Sequence, residues 1–320
     1  MKVLVTGAAG FIGSHLVERL LRENCQVVGL DSFDTYLYDA ETKKRNLREI
    51  GEHRHWRFVE GDILDDELLP SLLKGVDLVA HIAALAGVRP SIVAPQKYIR
   101  TNIQGTLSLL EACRAAGVKR IVFASTSSVY GARSPEDVPF RESDPCVHPA
   151  SPYAASKRAA ELFCSNYRDL YGIGVLAVRY FTVYGPRQRP EMAIHKFTRL
   201  IADGRPVVLY GDGSSARDYT YIDDIVDGSW RACQKVTPGG FEIYNLGGSK
   251  TTSLRDLVDK ISQRLARKPQ LQFEPDQPGD VPITYADVSK SRRDLGYEPR
   301  VSIDEGLDRF VAWYQQRAAG

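Results

Sequence analysis

The chain of 320 residues is short of several things, and each shortage removes a class of explanation. It has only five cysteines, Cys25, Cys113, Cys146, Cys164 and Cys233, an odd and scattered set with no CxxC pair. That argues against a disulfide framework and for reduced packing residues. The run His53-Arg54-His55 lacks acidic or thiol partners at ligand spacing, so no metal site is expected. Net charge is nearly absent, formally +2 with both signs interspersed, which leaves no footprint for nucleic acid. No apolar run approaches the ~20 residues of a membrane span, and the first residues enter a strand pattern without a signal peptide. A soluble, cytoplasmic chain with no membrane partner is therefore expected. There is no repeat or low-complexity tract, and the length is ample for one large or two intimate domains.

What is present begins at the N-terminus. Lys2-Val3-Leu4-Val5-Thr6 reads as a buried strand that runs into Gly7-Ala8-Ala9-Gly10-Phe11-Ile12-Gly13 and then an amphipathic helix to about Glu23. Such a turn binds a dinucleotide: Gly7 permits the tight bend, Gly10 lets backbone approach a pyrophosphate at the helix N-terminus, and Gly13 allows close helix–strand packing. A second strand, Gln26 to Leu30, ends on Asp31, placed to accept hydrogen bonds from an adenosine ribose diol. A carboxylate there repels a 2′-phosphate, which favours NAD over NADP.

Strand patterns near 2–6, 26–31, 57–60, 77–82, 119–125 and 174–181 alternate with helical stretches, of which 94–116 and 152–171 are long. This alternation predicts an α/β fold, a doubly wound parallel (Rossmann) sheet. Residues 1–181 are expected to form the NAD-binding domain. After Gly185-Pro186 the pattern loosens, and 182–320 is expected to be mainly a smaller, discontinuous C-terminal substrate-binding lobe. A strand–helix pair near 241–266 is expected to return to the main sheet, so that the first domain is rejoined by about 222–250.

Tyr153 and Lys157, four apart, share one face of a helix. A phenol titrates near pH ~10, so a Tyr that takes a proton at neutral pH needs a cation beside it, and Lys157 is placed to supply one. Such pairs are common on surface helices, and the weight here comes from the motifs around them.

Those motifs resemble the extended short-chain dehydrogenase/reductase family, and within it the nucleotide-sugar epimerases and dehydratases. Carrying the resemblance are the glycine turn, Asp62-Ile63, His81-Ile82-Ala83-Ala84, the run Ser125 to Gly131, and Tyr153 with Lys157. It covers nearly the whole chain. It implies that Gly7, Ala9, Gly10, Phe11, Ile12, Gly13, Asp31, Asp62, Ile63, Ala83, Ala84, Tyr153, Lys157 and Tyr180 hold NAD. It also implies that Thr126 hydrogen-bonds the reacting sugar oxygen, that Tyr153 acts as base then acid, and that Lys157 orients the cofactor and tunes Tyr153. Helices near 94–116 and 152–171 carry a dimer seam in relatives, so a homodimer is expected.

Dehydratases of this group carry Asp-Glu directly after that Thr, and UDP-glucuronate decarboxylases Ser-Glu; here Ser127 and Ser128 stand there. A serine has no titration near neutral pH that would replace a carboxylic acid, which leaves redox without elimination, namely epimerisation. The run Arg187-Gln188-Arg189-Pro190-Glu191-Met192-Ala193 is similar to the Arg-Pro-acid-Met-Ala run of UDP-glucuronate 4-epimerases. Galactose epimerases usually have Asn where Thr182 stands. The expectation is NAD-dependent 4-epimerisation of UDP-glucuronate to UDP-galacturonate, with Arg189 as a planar fork on the sugar carboxylate and Thr126, Ser127, Ser128 and Thr182 as smaller donors. Arg217 matches the family's diphosphate-binding Arg and Asp280 an acid near the uridine ribose, while Gln277 stands where galactose epimerases often have Arg. The bland alternatives are an Arg189–Glu191 surface pair and a salt bridge from Arg217 to Asp218 or Asp223. A 4-epimerase of neutral UDP-hexoses, a decarboxylase, and an NAD-binding scaffold without chemistry are the rival functions.

Overall fold

Val3, Leu4 and Val5 are all fully buried, as are Leu78, Val79 and Ala80 of a neighbouring strand, because this sheet is covered on both faces. The structure is a computed structural model that describes residues 1–277 and 279–319. Its seven-stranded sheet runs in the spatial order Phe241–Leu246, Gly174–Tyr180, Arg120–Thr126, Leu78–His81, Lys2–Thr6, Gln26–Asp31, Trp56–Glu60, and every pairing is parallel. Side chains alternate between faces. Val3 and Val5 join a core with Leu16, Ile222 and Trp230, whereas Leu4 joins one with Leu109, Cys113, Ala160 and Cys164. All five cysteines are buried and unpaired, as packing residues are.

Strand order reverses between Lys2–Thr6 and Leu78–His81, and in sheets of this kind ligands bind beyond the carboxyl ends of the strands at that switch point. The glycine turn lies there. Gly7 has φ of +71°, and a Cβ on it would sit 2.8 Å from the Ala83 nitrogen. A Cβ on Gly13 would sit 2.0 Å from the Gly7 carbonyl oxygen, in the first turn of the Phe11–Arg22 helix. Gly13→Ala is therefore expected to push helix and turn apart and to weaken NAD binding, which titration of the purified protein with the dinucleotide would check.

The sequence predicts one helix over 94–116, but the structure divides it into Pro95–Tyr98, a π-helical stretch Ile99–Gln104 and Gly105–Ala116. The extra residue in the turn coincides with Asn102, whose carboxamide turns away from the helix to pair with both backbone groups of Leu85 and with the Ser156 hydroxyl. The Pro152–Tyr171 helix keeps its expected bounds because Ser151 caps it onto the Ala154 N–H, Pro152 opens it, and Gly172 closes it in the left-handed region.

Beyond Tyr180 the chain builds three two-stranded sheets and the helices Ala193–Ala202, Leu254–Leu265 and Ile303–Ala319. The strand Phe241–Leu246 returns to the edge of the main sheet, as expected. Its expected companion does not: the Leu254–Leu265 helix packs on Ala193–Ala202 and Ile303–Ala319, and the Ile222–Lys235 helix covers the sheet in its stead. The difference follows from the buried stripe Leu257, Val258 and Ile261, which needs an apolar partner that the lobe supplies. Among the described residues no helix is long and apolar enough to cross a membrane.

Candidate active site

One cleft with room for about 370 Å³ follows the switch point. Its walls include Gly7, Gly10, Phe11, Ile12, Gly13, Asp31, Asp62, Ile63, Ala83 and Ala84 at one end and Thr126, Ser127, Ser128, Tyr153, Tyr180, Thr182 and Arg189 at the other. Four residues singled out by sequence lie outside those walls: Ala9, Lys157, Arg217 and Asp280.

The glycine end fits a dinucleotide on structural grounds. Gly10 is the N-cap residue of the Phe11–Arg22 helix and offers no side-chain acceptor, so the amides of the first turn are available to an anion. Asp31 ends its strand as a buried carboxylate that accepts the Ala9 N–H at 3.1 Å and the Phe33 N–H at 2.9 Å. That contact is what Ala9 does here. Lys43, which sequence reasoning missed, stands 3.8 Å from Asp31 and also lines the cleft. Nothing in a polar helix pattern marks it beforehand; only the fold of 32–43 over the turn brings it there.

At the other end, the strand Arg120–Thr126 stops at Thr126, whose hydroxyl accepts the Ser128 N–H at 3.2 Å. Tyr153 stands in the first turn of its helix with Tyr98 edge-on at 6.2 Å, and Tyr98 is anchored by its hydroxyl on the Ala86 carbonyl. Burial pushes the Tyr153 phenol up, against the opposing pull of the Thr126 hydroxyl and the Arg189 guanidinium. Lys157 is only 2% exposed, and its ammonium lies 4.1 Å above the Phe123 ring, whose quadrupole meets the charge.

Burial pushes Lys157 down from 10.5 to about 8. Its folded-state pKa then lies below the unfolded one, so the unfolded chain binds more protons across that interval and stability rises with pH there. Relative to Lys157→Met, the wild-type chain is expected to gain thermal stability between about pH 8 and pH 10, read from paired melting curves.

Arg189 is placed by its neighbours. Arg187, at φ of +65°, sends its guanidinium back to Glu49 and Glu18, each at 2.6 Å, on the two helices that follow the first two strands. The Gln188 side chain donates to the Val183 carbonyl at 3.0 Å. Arg189 itself makes the ion pair with Glu191, at 3.1 Å, and also lines the cleft.

Arg217 and Asp280 form a separate cluster with Arg89, which sequence reasoning missed. The Arg89 guanidinium pairs with Asp280 at 2.7 Å and stacks 4.2 Å over the Tyr210 ring, directly after Val88 in the cleft wall. Arg217 donates to the carbonyls of Ala216 and Pro282. It does not pair with the neighbouring acids: Asp218 accepts the N–H groups of Gly248, Ser249 and Ala286, and Asp223 takes Arg309. Three backbone amides hold that carboxylate in place of a partly exposed guanidinium.

The family model described as GDP-mannose 4,6 dehydratase matches residues 4–310. A UDP-glucuronate 4-epimerase of Thermodesulfobacterium geofontis is 42% identical over 316 residues, 98% of this chain and 96% of the relative. The crystal structure of UDP-glucuronic acid 4-epimerase from Bacillus cereus with UDP-glucuronic acid and NAD superposes with a TM-score of 0.94 at 37% identity, covering 99% of this chain and 100% of that one. A dTDP-glucose 4,6-dehydratase from Streptomyces venezuelae, solved with NAD, is 37% identical with a TM-score of 0.92, covering 100% and 98%. Equal identity to an epimerase and a dehydratase means that individual residues, not overall likeness, must separate the two reactions. On the family match and these full-length likenesses, the chain belongs to the extended short-chain dehydrogenase/reductase family, in the group of NAD-dependent nucleotide-sugar epimerases and dehydratases.

Proposed function

We propose that this chain is a UDP-glucuronate 4-epimerase that interconverts UDP-glucuronate and UDP-galacturonate through a transient 4-keto sugar. One observation carries the choice: Ser127 and Ser128, with no carboxyl group, stand beside Thr126 in the same cleft that Arg189 lines. The UDP-glucuronate 4-epimerase relatives support it. Gly7 to Gly13, Asp31, Asp62, Ile63, Ala83, Ala84, Lys157 and Tyr180 would hold NAD, with Lys43 added to the ribose side. When bound, NAD supplies a reversible hydride acceptor at C4.

Tyr153 takes the proton from the C4 hydroxyl and later returns it to the same oxygen, and Thr126 donates a hydrogen bond to that oxygen throughout. Arg189 grips the C6 carboxylate, aided by Ser127, Ser128 and Thr182. A C4 ketone makes the sugar a β-keto acid, which loses carbon dioxide when its C5–C6 bond aligns with the carbonyl π orbitals. A clamp that holds the bond out of alignment suppresses that loss, and the serines offer no acid to protonate an enolate. Inversion needs the sugar to turn while its nucleotide stays fixed; Arg217, Asp280 and Arg89 are assigned to that anchor.

The unit is further proposed to be a cytoplasmic homodimer of an NAD domain and a discontinuous sugar lobe. Exposed Ile99, Leu162 and Leu170 on the two long helical stretches support a seam there. The test is incubation of purified protein with UDP-glucuronate and no added NAD, followed by NMR: epimer formation is expected from retained cofactor. The Arg189–Glu191 pair favours one second reading, a neutral-hexose epimerase, since the guanidinium already has a counter-ion. UDP-glucose turnover as fast as that of UDP-glucuronate would select it.

A further inference from the structure

Glu161 is a fully buried carboxylate one helical turn beyond Lys157, and none of the chemistry above uses it. It accepts hydrogen bonds from the Ser125 hydroxyl at 2.6 Å, from Arg179 Nε and Nη2 at 2.9 Å each, and from Arg158 Nη1 at 2.9 Å. Arg179 is 1% exposed, stacks 4.7 Å over the Tyr130 ring, and keeps one terminal nitrogen, Nη1, buried without a partner. Tyr130 donates to the Asn245 carboxamide at 2.7 Å. Sheet register explains the arrangement. Ser125, Arg179 and Asn245 lie side by side on three adjacent strands, and the next row is Thr126, Tyr180 and Leu246. The row that Glu161 grips is thus the one before Thr126 and Tyr180, and its Ser125 borders the cleft as they do.

Helix Pro152–Tyr171 carries Tyr153 and Lys157, and strand Arg120–Thr126 carries Thr126. Apart from apolar packing, which lets a helix slide, two polar contacts tie this helix to the sheet below: the Lys157 ammonium rests on the Phe123 ring, and Glu161 holds Ser125 and Arg179 at once. Bidentate carboxylate–guanidinium geometry tolerates little displacement, unlike methyl packing. We propose that Glu161 and Arg179 are a positioning pair that sets the height of the Tyr153–Lys157 helix over the sheet, and so the spacing of Tyr153 from Thr126. Energetics favour that purpose over simple stabilisation: two desolvated charges and an unmet donor are costly, and apolar residues of similar volume commonly stabilise a core as well or better. The Arg179 charge also keeps Glu161 ionised: burial works to raise its pKa, yet the Arg179 hydrogen bonds and charge hold it below the ordinary carboxylate range.

This inference rests on the proposed epimerase reading for its substrate, but its test is a comparison with wild type. Glu161→Gln leaves Arg179 uncompensated and is expected to lose both stability and turnover. The informative variant is Glu161→Leu/Arg179→Met, which removes both charges. It is expected to melt at or above the wild-type temperature, to keep bound NAD and a KM for UDP-glucuronate within about twofold, and to lose kcat by about a hundredfold, the scale of an ångström-level misplacement. Wild-type kcat in this variant would overturn the proposal, because a merely stabilising pair regains activity with stability. Should the double variant not fold, Glu161→Asp decides, since it keeps the charge but shortens the reach to Arg179 by one methylene: lower kcat at unchanged KM and unchanged bound NAD supports the pair's role, and unchanged kcat overturns it. Should wild type leave UDP-glucuronate untouched but turn over another UDP-sugar, the epimerase reading fails while the same comparison on that sugar still tests the positioning pair.

Discussion

Tyr153→Phe is expected to lower kcat by about a thousandfold while leaving bound NAD and the KM for UDP-glucuronate nearly unchanged. The variant removes one oxygen atom. It leaves the ring that packs edge-on against Tyr98, so the cleft keeps its shape and the loss reads on proton transfer alone. Of the two phenols at this end of the cleft, Tyr180 has its hydroxyl engaged with that of Ser229 at 2.9 Å, which leaves Tyr153 to take the C4 hydroxyl proton and give it back; Thr126, Ser127, Ser128 and Thr182 do not titrate near neutral pH, and Arg189 offers only donors. Steady-state NMR assays with a check of bound cofactor would measure it. Full turnover in the phenylalanine variant would remove the phenol from the mechanism and with it the proposed reaction.

Arg189→Leu carries the second large effect, and it has three readouts. Loss of a charge-assisted fork costs roughly 1.5–3 kcal/mol, so KM for UDP-glucuronate is expected to rise by about ten- to a hundredfold, with UDP-glucose changed far less. Without the clamp the C5–C6 bond of the keto acid is free to align, and a UDP-pentose with released carbon dioxide should appear beside the epimer. The third readout is pH. Arg189 is the cation that pulls the Tyr153 phenol down against burial, so its loss raises that pKa and moves the acid limb of the rate profile to higher pH. A variant with unchanged preference for the acidic sugar would leave the Glu191 pair as the sole role of Arg189.

Much of this site is legible in the bare chain because its parts are local. The glycine turn, the strand that ends on Asp31, and Tyr153 with Lys157 each lie within one or two elements, and backbone sterics or helix spacing fix their use. Glycine at 13 is required wherever a helix starts against Gly7. Helix spacing puts Lys157 on the face of Tyr153, and the tertiary structure adds a neighbour that spacing does not name. Periodicity says that it shares a face with Tyr153; it does not say that Phe123 on the strand below captures the ammonium.

The sequence by itself determined the doubly wound sheet, the cofactor turn and the chemistry available at Thr126, Tyr153 and the two serines, since propensity, pattern and side-chain type act over short stretches. Tertiary structure alone decided which distant charges meet. Arg189 came to the cleft because Arg187 reaches back to Glu18 and Glu49; Arg89 came to Asp280; and Glu161 was joined to Ser125 and Arg179 across two strands. Electrostatic pairing depends on distance and desolvation in space, and neither is written in sequence spacing once the partners lie on different elements.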